Sequence, residues 1–280
     1  MNKLILGIDA GNYEGKTVGN HGVDAWHTNI SASHERKVTE VFGEDDMEFV
    51  VNGRKGLAGT IAKYESRRKS NGMYGQSKAH WYTEVRVLLS VYRYAVKYSL
   101  NPSRVSIVTG QPYAGHTEAD KAIMKALLQR THAVEVNGDR MTITIEEVGI
   151  APEGVGAYFA MAVPPKNGKV LDIGSGTVNA ISFEDYRVTN YNTDTFNYGT
   201  EVMTDMHEVA DGAIQDTVAL GWERDNRVLV CGGSAGEITE YIREHYVKAE
   251  VLTPVLNAQV LAPKYANAVG YYNLAKGSFR

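Results

Sequence analysis

Two segments of this chain share one pattern, and that pattern constrains the fold more than any other feature. Each is a short apolar run ending in an aspartate, followed by a glycine-containing turn and a second β-prone run; they are residues 4–16 and 169–177. An apolar run that leads into a glycine-rich turn is typical of a strand entering a hairpin. Glycine lets backbone N–H groups approach an anion without an intervening Cβ. Two such hairpins predict a clamp that grips one polyphosphate from both sides, and with it a two-lobed architecture.

Composition favours a globular protein and argues against several classes of function. The chain has 280 residues, of which 43% are hydrophobic, enough for one large domain or two ordinary ones. A net charge of −4 argues against direct nucleic-acid binding, so a role on DNA would need an adaptor. No long apolar run or signal-peptide pattern appears, so we expect a cytoplasmic protein with no membrane partner. The single cysteine, Cys231, is expected to be a buried strand residue rather than a nucleophile.

One local group of basic residues stands out from this acidic background. We expect it to be a solvated face or the rim of an interface rather than a binding patch. Its members are Lys63, Arg67, Arg68, Lys69 and Lys78.

Strand and helix patterns alternate along the chain, which is typical of an α/β architecture. We predict strands over 4–9, 15–30, 38–42, 47–52, 104–112, 133–136, 141–145, 169–173, 177–183, 186–190 and 251–252, with a strand and glycine turn over 227–233. We predict helices over about 79–98, 117–131, 153–163, 199–211, 235–246 and 263–276. The buried stripe of the first helix is expected to comprise Val85, Leu88, Leu89, Tyr92 and Val96.

The first hairpin combines an aspartate and a lysine seven residues apart. Asp9 can hold a hydrated Mg²⁺, which prefers carboxylates, waters and phosphate oxygens. Lys16 lies on the returning strand and can place its charge against the β- and γ-phosphates. The turn between them supplies the predicted nucleotide contacts Gly11, Asn12 and Tyr13. The alternative is an ordinary hairpin with an exposed lysine.

Two further glycine turns follow strands in the second half of the chain. After Asp172, backbone amides and two hydroxyls can bind phosphate oxygens. These candidates are Gly174, Ser175, Gly176 and Thr177. Residues 228–236 form a strand, a turn and a helix start that can admit a base and ribose. The candidates there are Gly232, Gly233 and Ser234. Either turn alone can also be purely structural.

A fourth candidate is Glu153, which follows Pro152 and precedes Gly154. We expect it to open a helix that crosses between the lobes, where its carboxylate can orient an attacking water. The alternative is a first-turn glutamate that only favours the helix dipole.

The order of these motifs resembles that of the actin superfamily, which shares its ATPase core with sugar kinases and heat-shock chaperone ATPases. Residues 9–16 and 172–177 look like the phosphate-1 and phosphate-2 motifs, and 228–236 looks like the adenosine motif. Residues 152–162 and 265–272 look like connect-1 and connect-2. The Asp9-to-Lys16 spacing is similar to that of actin and of the plasmid-segregation actin ParM.

The interval after the second hairpin is short. Cys231 lies only 59 positions after Asp172, whereas in actin and ParM this interval is much longer and holds subdomain IIB. In this respect the chain resembles AlfA, a segregation actin without that part. The resemblance implies an α/β, two-lobed actin-like ATPase (ribonuclease H-like) fold with a reduced second lobe. It implies lobe I over 1–150 with a small IB-type subdomain at about 30–75, lobe II over 151–262 without IIB, and a helix over 263–280 returning to lobe I.

The same resemblance implies roles for the candidate residues. Asp9 and Asp172 would organise Mg²⁺ through its waters, and Glu153 would position the hydrolytic water. Lys16 would hold phosphates. Glu201 is a weaker candidate for the ribose. The ligand is expected to be ATP or ADP, with GTP open because base contacts are partly made by the backbone.

Three functions remain open at this stage. The first is a filament-forming actin-like protein that segregates plasmid DNA through a DNA-binding adaptor on a centromere-like site, with hydrolysis of the β–γ phosphoanhydride controlling filament stability. The second is a small-molecule kinase of the same superfold, similar to type III pantothenate kinases. The third is a nucleotide-binding scaffold without useful turnover.

Overall fold

The computed structural model describes residues 3–33, 43–65, 77–203 and 205–279 of the chain. The predicted strand over 38–42 lies outside these residues, as do Arg67, Arg68 and Lys69 of the basic group. None of the helices within the described ranges is long and apolar enough to cross a membrane.

Strands and helices alternate through most of the described chain. The strands are β1 Lys3–Ala10, β2 Glu14–Gly19, β3 Gly22–His27, β4 Ile30–Ala32, β5 Met47–Val51, β6 Arg54–Ala58, β7 Arg104–Gln111, β8 Thr131–Val136, β9 Asp139–Pro152, β10 Gly168–Ile173, β11 Val178–Glu184, β12 Arg187–Val188, β13 Asp194–Phe196, β14 Val228–Cys231, β15 Glu250–Val251, β16 Val255–Leu256 and β17 Gln259–Val260. The α-helices are α1 Thr60–Glu65, α2 Trp81–Lys97, α3 Glu118–Leu128, α4 Val155–Tyr158, α5 Met206–Ala219, α6 Ala235–His245 and α7 Ala266–Ser278.

The two main sheets repeat one topology. In the first, β1 pairs antiparallel with β2 and parallel with β7, which gives the order β3-β2-β1-β7-β9. In the second, β10 pairs antiparallel with β11 and parallel with β14, which gives the order β12-β11-β10-β14-β15. Each hairpin predicted from the sequence is therefore the first hairpin of its own sheet. This arrangement confirms the predicted α/β fold class.

Strand β9 is longer than the sequence indicates, and it changes the position of Glu153. Its first half pairs antiparallel with β8, and its second half continues parallel to β7 up to the Gln111–Pro152 pair. The backbone N–H of Glu153 donates to the carbonyl of Gln111 at 2.8 Å, so Glu153 prolongs the ladder. The prediction of a helix over 153–163 is therefore wrong. Gly154, with φ of +76°, turns the chain into the short α4 instead.

The predictions for α2 and α5 are partly wrong, whereas the predicted N-cap of α3 is confirmed. Four of the five stripe residues of α2 are buried, but Val96 is 55% exposed in the last turn. Helix α5 begins at Met206 rather than 199, because Asp205 caps it by accepting from the N–H of His207 at 2.8 Å. The predicted cap Thr117 accepts from the N–H of Asp120 at 3.1 Å and starts α3.

The last helix, α7, connects the two halves of the chain through backbone contacts that only glycine permits. A Cβ on Gly270 would lie 1.7 Å from the carbonyl oxygen of Gly156 in α4. A Cβ on Gly7 in β1 would lie 2.2 Å from the carbonyl oxygen of Ala268. Helix α7 therefore packs directly on both the first sheet and the turn that follows Glu153.

Between β10 and β14 the described residues form β11, β12, β13, a 3₁₀ turn and α5. The lobe boundaries given above, and the loss of a IIB-type subdomain, stay predictions.

Candidate functional site

The two hairpins face one cleft with a volume of about 390 Å³. The cleft is lined by nearly all of the residues that the sequence singled out. They are Asp9, Gly11, Asn12, Tyr13, Lys16, Glu153, Asp172, Gly174, Ser175, Gly176, Thr177, Gly232, Gly233 and Ser234. The lining also includes residues that sequence reasoning did not select. Those treated below are Glu14, Lys78, Asn179, Lys264 and Asn267.

Equivalent positions of the two hairpins carry the two aspartates and their partners. Asp9 is paired in register with Lys16, and Asp172 is paired with Asn179, so each aspartate faces the residue seven positions later. Lys16 Nζ lies 3.4 Å from Asp9 Oδ2, and Asn179 Nδ2 lies 3.4 Å from Asp172 Oδ2. One hairpin thus offers its aspartate a cation, and the other offers a neutral amide.

Both aspartates are buried, and the surroundings of Asp172 shift its pKa. Burial, followed by the nearby charge of Glu153, raises the pKa of Asp172 to about 6, although the amide of Asn267 opposes the shift. Asn267 Nδ2 donates to Asp172 Oδ2 at 2.8 Å. On the other oxygen, the thiol of Cys231 faces Asp172 Oδ1 at 3.6 Å. Burial and this carboxylate raise the pKa of the Cys231 thiol well above its usual range, in keeping with the predicted buried strand residue.

Glu153 is held from both sides within the cleft. Its Oε1 forms an ion pair with Lys78 Nζ, and its Oε2 accepts from Asn179 Nδ2 at 3.2 Å. Glu153 is 6% exposed and Lys78 is 5% exposed. The expectation of a solvated face is therefore wrong for Lys78, because this lysine is buried against a carboxylate. Lys63, from the same group, is exposed as expected.

Asn267 joins three parts of the site. Its Oδ1 accepts from the N–H groups of Gly154 at 3.0 Å and Ala157 at 3.2 Å, while its Nδ2 donates to Asp172. The start of α7, the turn after Glu153 and the second hairpin are thereby fixed relative to one another. In the sequence, Asn267 is the only amide side chain within the apolar run 266–272. That run was identified only as part of the connect-2-like motif.

The loop of the first hairpin is held by α2. Arg86 Nη1 donates to Asn12 Oδ1 at 2.6 Å, and Thr28 Oγ1 donates to the carbonyl of Gly11 at 2.7 Å. Arg86 is 2% exposed, and burial lowers the pKa of its guanidinium to about 10. Among the described residues, no carboxylate forms a salt bridge with Arg86. The acceptors that Arg86 has within the described parts of the chain, Asn12 Oδ1 and the carbonyl of Thr28, are neutral.

The two turns of the second sheet are shaped by their backbone. Gly232 has φ of +110°, and a Cβ there would lie 2.1 Å from the carbonyl oxygen of Ile173. In the other turn, the N–H of Gly174 donates to the carbonyl of Thr177 at 2.9 Å. Both turns therefore place backbone at the cleft wall.

The structure does not bring Glu201 into the cleft lining. Its side chain is exposed, and its backbone N–H donates to the carbonyl of Ser175 at 2.9 Å. Its neighbour Thr200 lines the cleft instead. Glu201 lies in a turn rather than on the predicted helix.

The donor set of the cleft is compatible with Mg²⁺ bound mainly through water. Within the described parts of the chain, no group of three or more His, Cys, Asp or Glu side chains could hold a metal ion by itself. Mg²⁺ usually keeps several waters and is bound by one or two carboxylates together with substrate phosphates. Asp9 and Asp172, which interact electrostatically across the cleft, fit that requirement.

Comparisons with known proteins agree on one fold. The model of the family described as "Actin like proteins N terminal domain" matches residues 7–156. A structure of an AlfA filament bound to AMPPNP is 18% identical to the chain, with a TM-score of 0.80 and 99% of each chain covered. AlfA from a B. subtilis plasmid is 20% identical, with a TM-score of 0.80, covering 95% of this chain and 97% of that one.

An archaeal actin homolog in complex with ADP is 15% identical, with a TM-score of 0.71, covering 98% of this chain and all of that one. A search of curated proteins found no match in sequence.

Proposed function

The chain belongs to the actin-like proteins, and on that premise we propose that it binds a nucleoside triphosphate with Mg²⁺ and hydrolyses the β–γ phosphoanhydride. The observation that carries the proposal is the pair of equivalent hairpins. Asp9 with Lys16 and Asp172 with Asn179 occupy the same register positions in two sheets and face one cleft. Glu153 lies in that cleft, bound to Asn179.

Each part of the ligand has a proposed partner. The turns at 11–13 and 174–177 would bind phosphate oxygens through their backbone N–H groups, with Lys16 adding a charge. Asp9 and Asp172 would hold Mg²⁺ through its waters. Gly232, Gly233 and Ser234 would line the base and ribose. ATP is the proposed nucleotide, with GTP a second possibility because this wall is largely backbone.

Glu153 is the proposed catalytic carboxylate. It would orient a water and accept its proton while the water oxygen attacks the γ-phosphorus. The bond from the γ-phosphorus to the β–γ bridging oxygen breaks, so that the nucleoside diphosphate leaves with that oxygen and inorganic phosphate forms. Glu153 is buried and held by the amide of Asn179, so its orientation is fixed. Asn179 and Asn267 are positioning residues in this scheme.

We further propose that the chain assembles into filaments with copies of itself, that the triphosphate favours assembly, and that hydrolysis weakens it. Both AlfA structures reported above are described as filaments. A cytoplasmic role in plasmid DNA segregation is part of the proposal, and the likeness to AlfA from a plasmid supports it. The net charge of −4 supports contact with DNA through a DNA-binding adaptor at a centromere-like site rather than directly. Family membership favours this function over a small-molecule kinase.

Sedimentation and electron microscopy test the proposal. The chain is incubated with Mg²⁺ and either AMPPNP, ADP or no nucleotide, alongside the variants Lys16→Met and Lys166→Met. We expect filaments with AMPPNP for the wild type and for Lys166→Met, because the exposed Lys166 forms an ion pair with Asp185 and neither residue lines the cleft. We expect none for Lys16→Met. A wild-type chain that never pellets with any nucleotide would overturn the proposed assembly.

A further inference from the structure

We propose that Lys78 is a γ-phosphate-binding residue that exchanges Glu153 for the terminal phosphate when a triphosphate binds. The inference rests on the proposed function, and it adds a residue that no motif in the sequence predicted. Without a triphosphate, Lys78 holds Glu153. With one, Lys78 moves to the phosphate and Glu153 is left to the water and to Asn179.

Lys78 differs from the other lysines of the cleft by its burial. Among the described residues that line the cleft, each lysine has one carboxylate partner: Lys16 has Asp9, Lys78 has Glu153, and Lys264 has Glu14. The side chain of Lys78 is 7% exposed, against 15% for Lys16 and 32% for Lys264. Lys78 is therefore the most enclosed cation that a ligand in the cleft can reach.

A buried ion pair adds little net stability, so stability alone does not explain why two charges are buried here. Removing both groups from water costs about as much as their attraction returns. Both members of this pair also line the ligand cleft. A buried cation beside a cavity is well placed to bind an anionic ligand, because a charge-assisted hydrogen bond is strong where water is excluded.

The partners of Glu153 make the exchange possible. If Lys78 leaves Oε1, Glu153 still accepts from Asn179 Nδ2 at 3.2 Å through Oε2. The carboxylate therefore keeps one buried donor, and among the described residues no other donor is bonded to Oε1, which becomes a free oxygen. That free oxygen is the atom required to bind the attacking water.

The same contacts place Lys78 at the γ-phosphate rather than further along the ligand. In the proposed scheme Glu153 lies beside the water that attacks the γ-phosphorus. Lys78 Nζ donates a hydrogen bond directly to Glu153 Oε1. Lys16 is paired with Asp9 in the first hairpin and not with Glu153; in the proposed scheme it lies beside the aspartate that holds the metal. In the proposed exchange the main chain of Lys78 stays in place, with its carbonyl accepting from the N–H of His80 at 2.8 Å just before α2. Only the side chain has to move.

The competing explanation is that Lys78 is solely a counter-ion that keeps Glu153 folded in place. The two roles differ in what they predict for nucleotides with and without a γ-phosphate. If Lys78 binds the γ-phosphate, its removal lowers the affinity for the triphosphate alone. If Lys78 is only a counter-ion, its removal lowers the affinity for both nucleotides alike. It then becomes dispensable once Glu153 has lost its charge.

The test measures equilibrium affinities for Mg²⁺–AMPPNP and Mg²⁺–ADP by displacement of a fluorescent nucleotide, at protein concentrations too low for assembly. For Lys78→Met we expect AMPPNP affinity to fall by about tenfold or more, while ADP affinity stays within about threefold. For Glu153→Gln, which releases Lys78, we expect tighter AMPPNP binding. The double variant Lys78→Met/Glu153→Gln removes both charges, so it avoids an unpaired buried carboxylate, and it should again bind AMPPNP weakly.

Lys166→Met is the control and should change neither affinity, because its partner Asp185 lies outside the cleft lining. The inference is overturned if Lys78→Met weakens both nucleotides equally, or if the double variant regains the wild-type preference for AMPPNP over ADP. A wild-type chain that binds neither nucleotide would instead overturn the proposed function. The two failures are therefore distinguishable.

Discussion

At the scale of single residues, the two hairpins differ by one charge at equivalent positions. The first sets Lys16 against its aspartate, and the second sets Asn179 in the same register position. A lysine binds phosphate as a point charge, whereas an amide can orient two carboxylates without neutralising either. Asn179 does this, because its Nδ2 lies within reach of both Glu153 and Asp172. We infer that at this register position Lys16 serves the phosphates, whereas Asn179 orients the carboxylates.

The Glu153→Gln variant tests the catalytic role at this scale. The amide cannot accept a proton from water in the way a carboxylate can, and such a group typically contributes about 10²- to 10⁴-fold to a rate. We expect phosphate release from ATP to fall by at least about a hundredfold, while filaments still form with AMPPNP. Release is measured by a coupled phosphate assay.

Glu184→Gln is the matched control for that variant. Glu184 lies at the end of β11, outside the cleft lining, where it accepts from the hydroxyl of Tyr191 at 3.3 Å. It should release phosphate at the wild-type rate. Unchanged release from Glu153→Gln would remove Glu153 from the catalytic scheme.

At the scale of elements, the sequence predicted strands and turns better than it predicted what lies between them. The first hairpin, β7, β10 and β14 were all predicted from apolar runs that end in glycine turns. The sequence prediction instead placed Glu153 at the start of a helix over 153–163. In the structure, ladder pairing with β7 extends β9 to Pro152, and Gly154 with positive φ prevents the helix from starting at Glu153. Tertiary pairing overrode the local pattern here.

Substitution of a glycine in α7 tests the contact between that helix and α4. In Gly270→Ala the new Cβ would lie 1.7 Å from the carbonyl oxygen of Gly156, which is backbone and cannot rotate away. We expect the free energy of unfolding to fall by about 3 kcal/mol or more. Chemical denaturation followed by circular dichroism measures the change.

The same helix supplies a control. Gly277 has no atom within 4 Å of the position that a Cβ would take, so Gly277→Ala should leave stability unchanged or raise it by up to about 1 kcal/mol. Equal effects of the two substitutions would contradict the close packing of α7 on α4.

At the scale of the whole molecule, the repeated topology explains how much of the fold could be predicted. Each hairpin is local in sequence, so each was visible as a pattern, and two of them indicated two sheets around one cleft. The residues that were missed act over long separations. Arg86 reaches Asn12 across 74 positions, Lys78 reaches Glu153 across 75, and Asn267 reaches Asp172 across 95. A buried lysine or asparagine has no local signature, because its partner is defined only once the sheets are assembled.

The central claim is that both hairpins grip one triphosphate, and calorimetric titration with Mg²⁺–AMPPNP tests it most directly. The wild type is compared with Lys16→Met in the first hairpin, Thr177→Val in the turn after Asp172, and the control Lys166→Met. We predict one nucleotide per chain, with affinity lowered about tenfold or more in each hairpin variant and unchanged in the control. A variant in either hairpin that binds AMPPNP as tightly as the wild type would contradict the two-sided clamp.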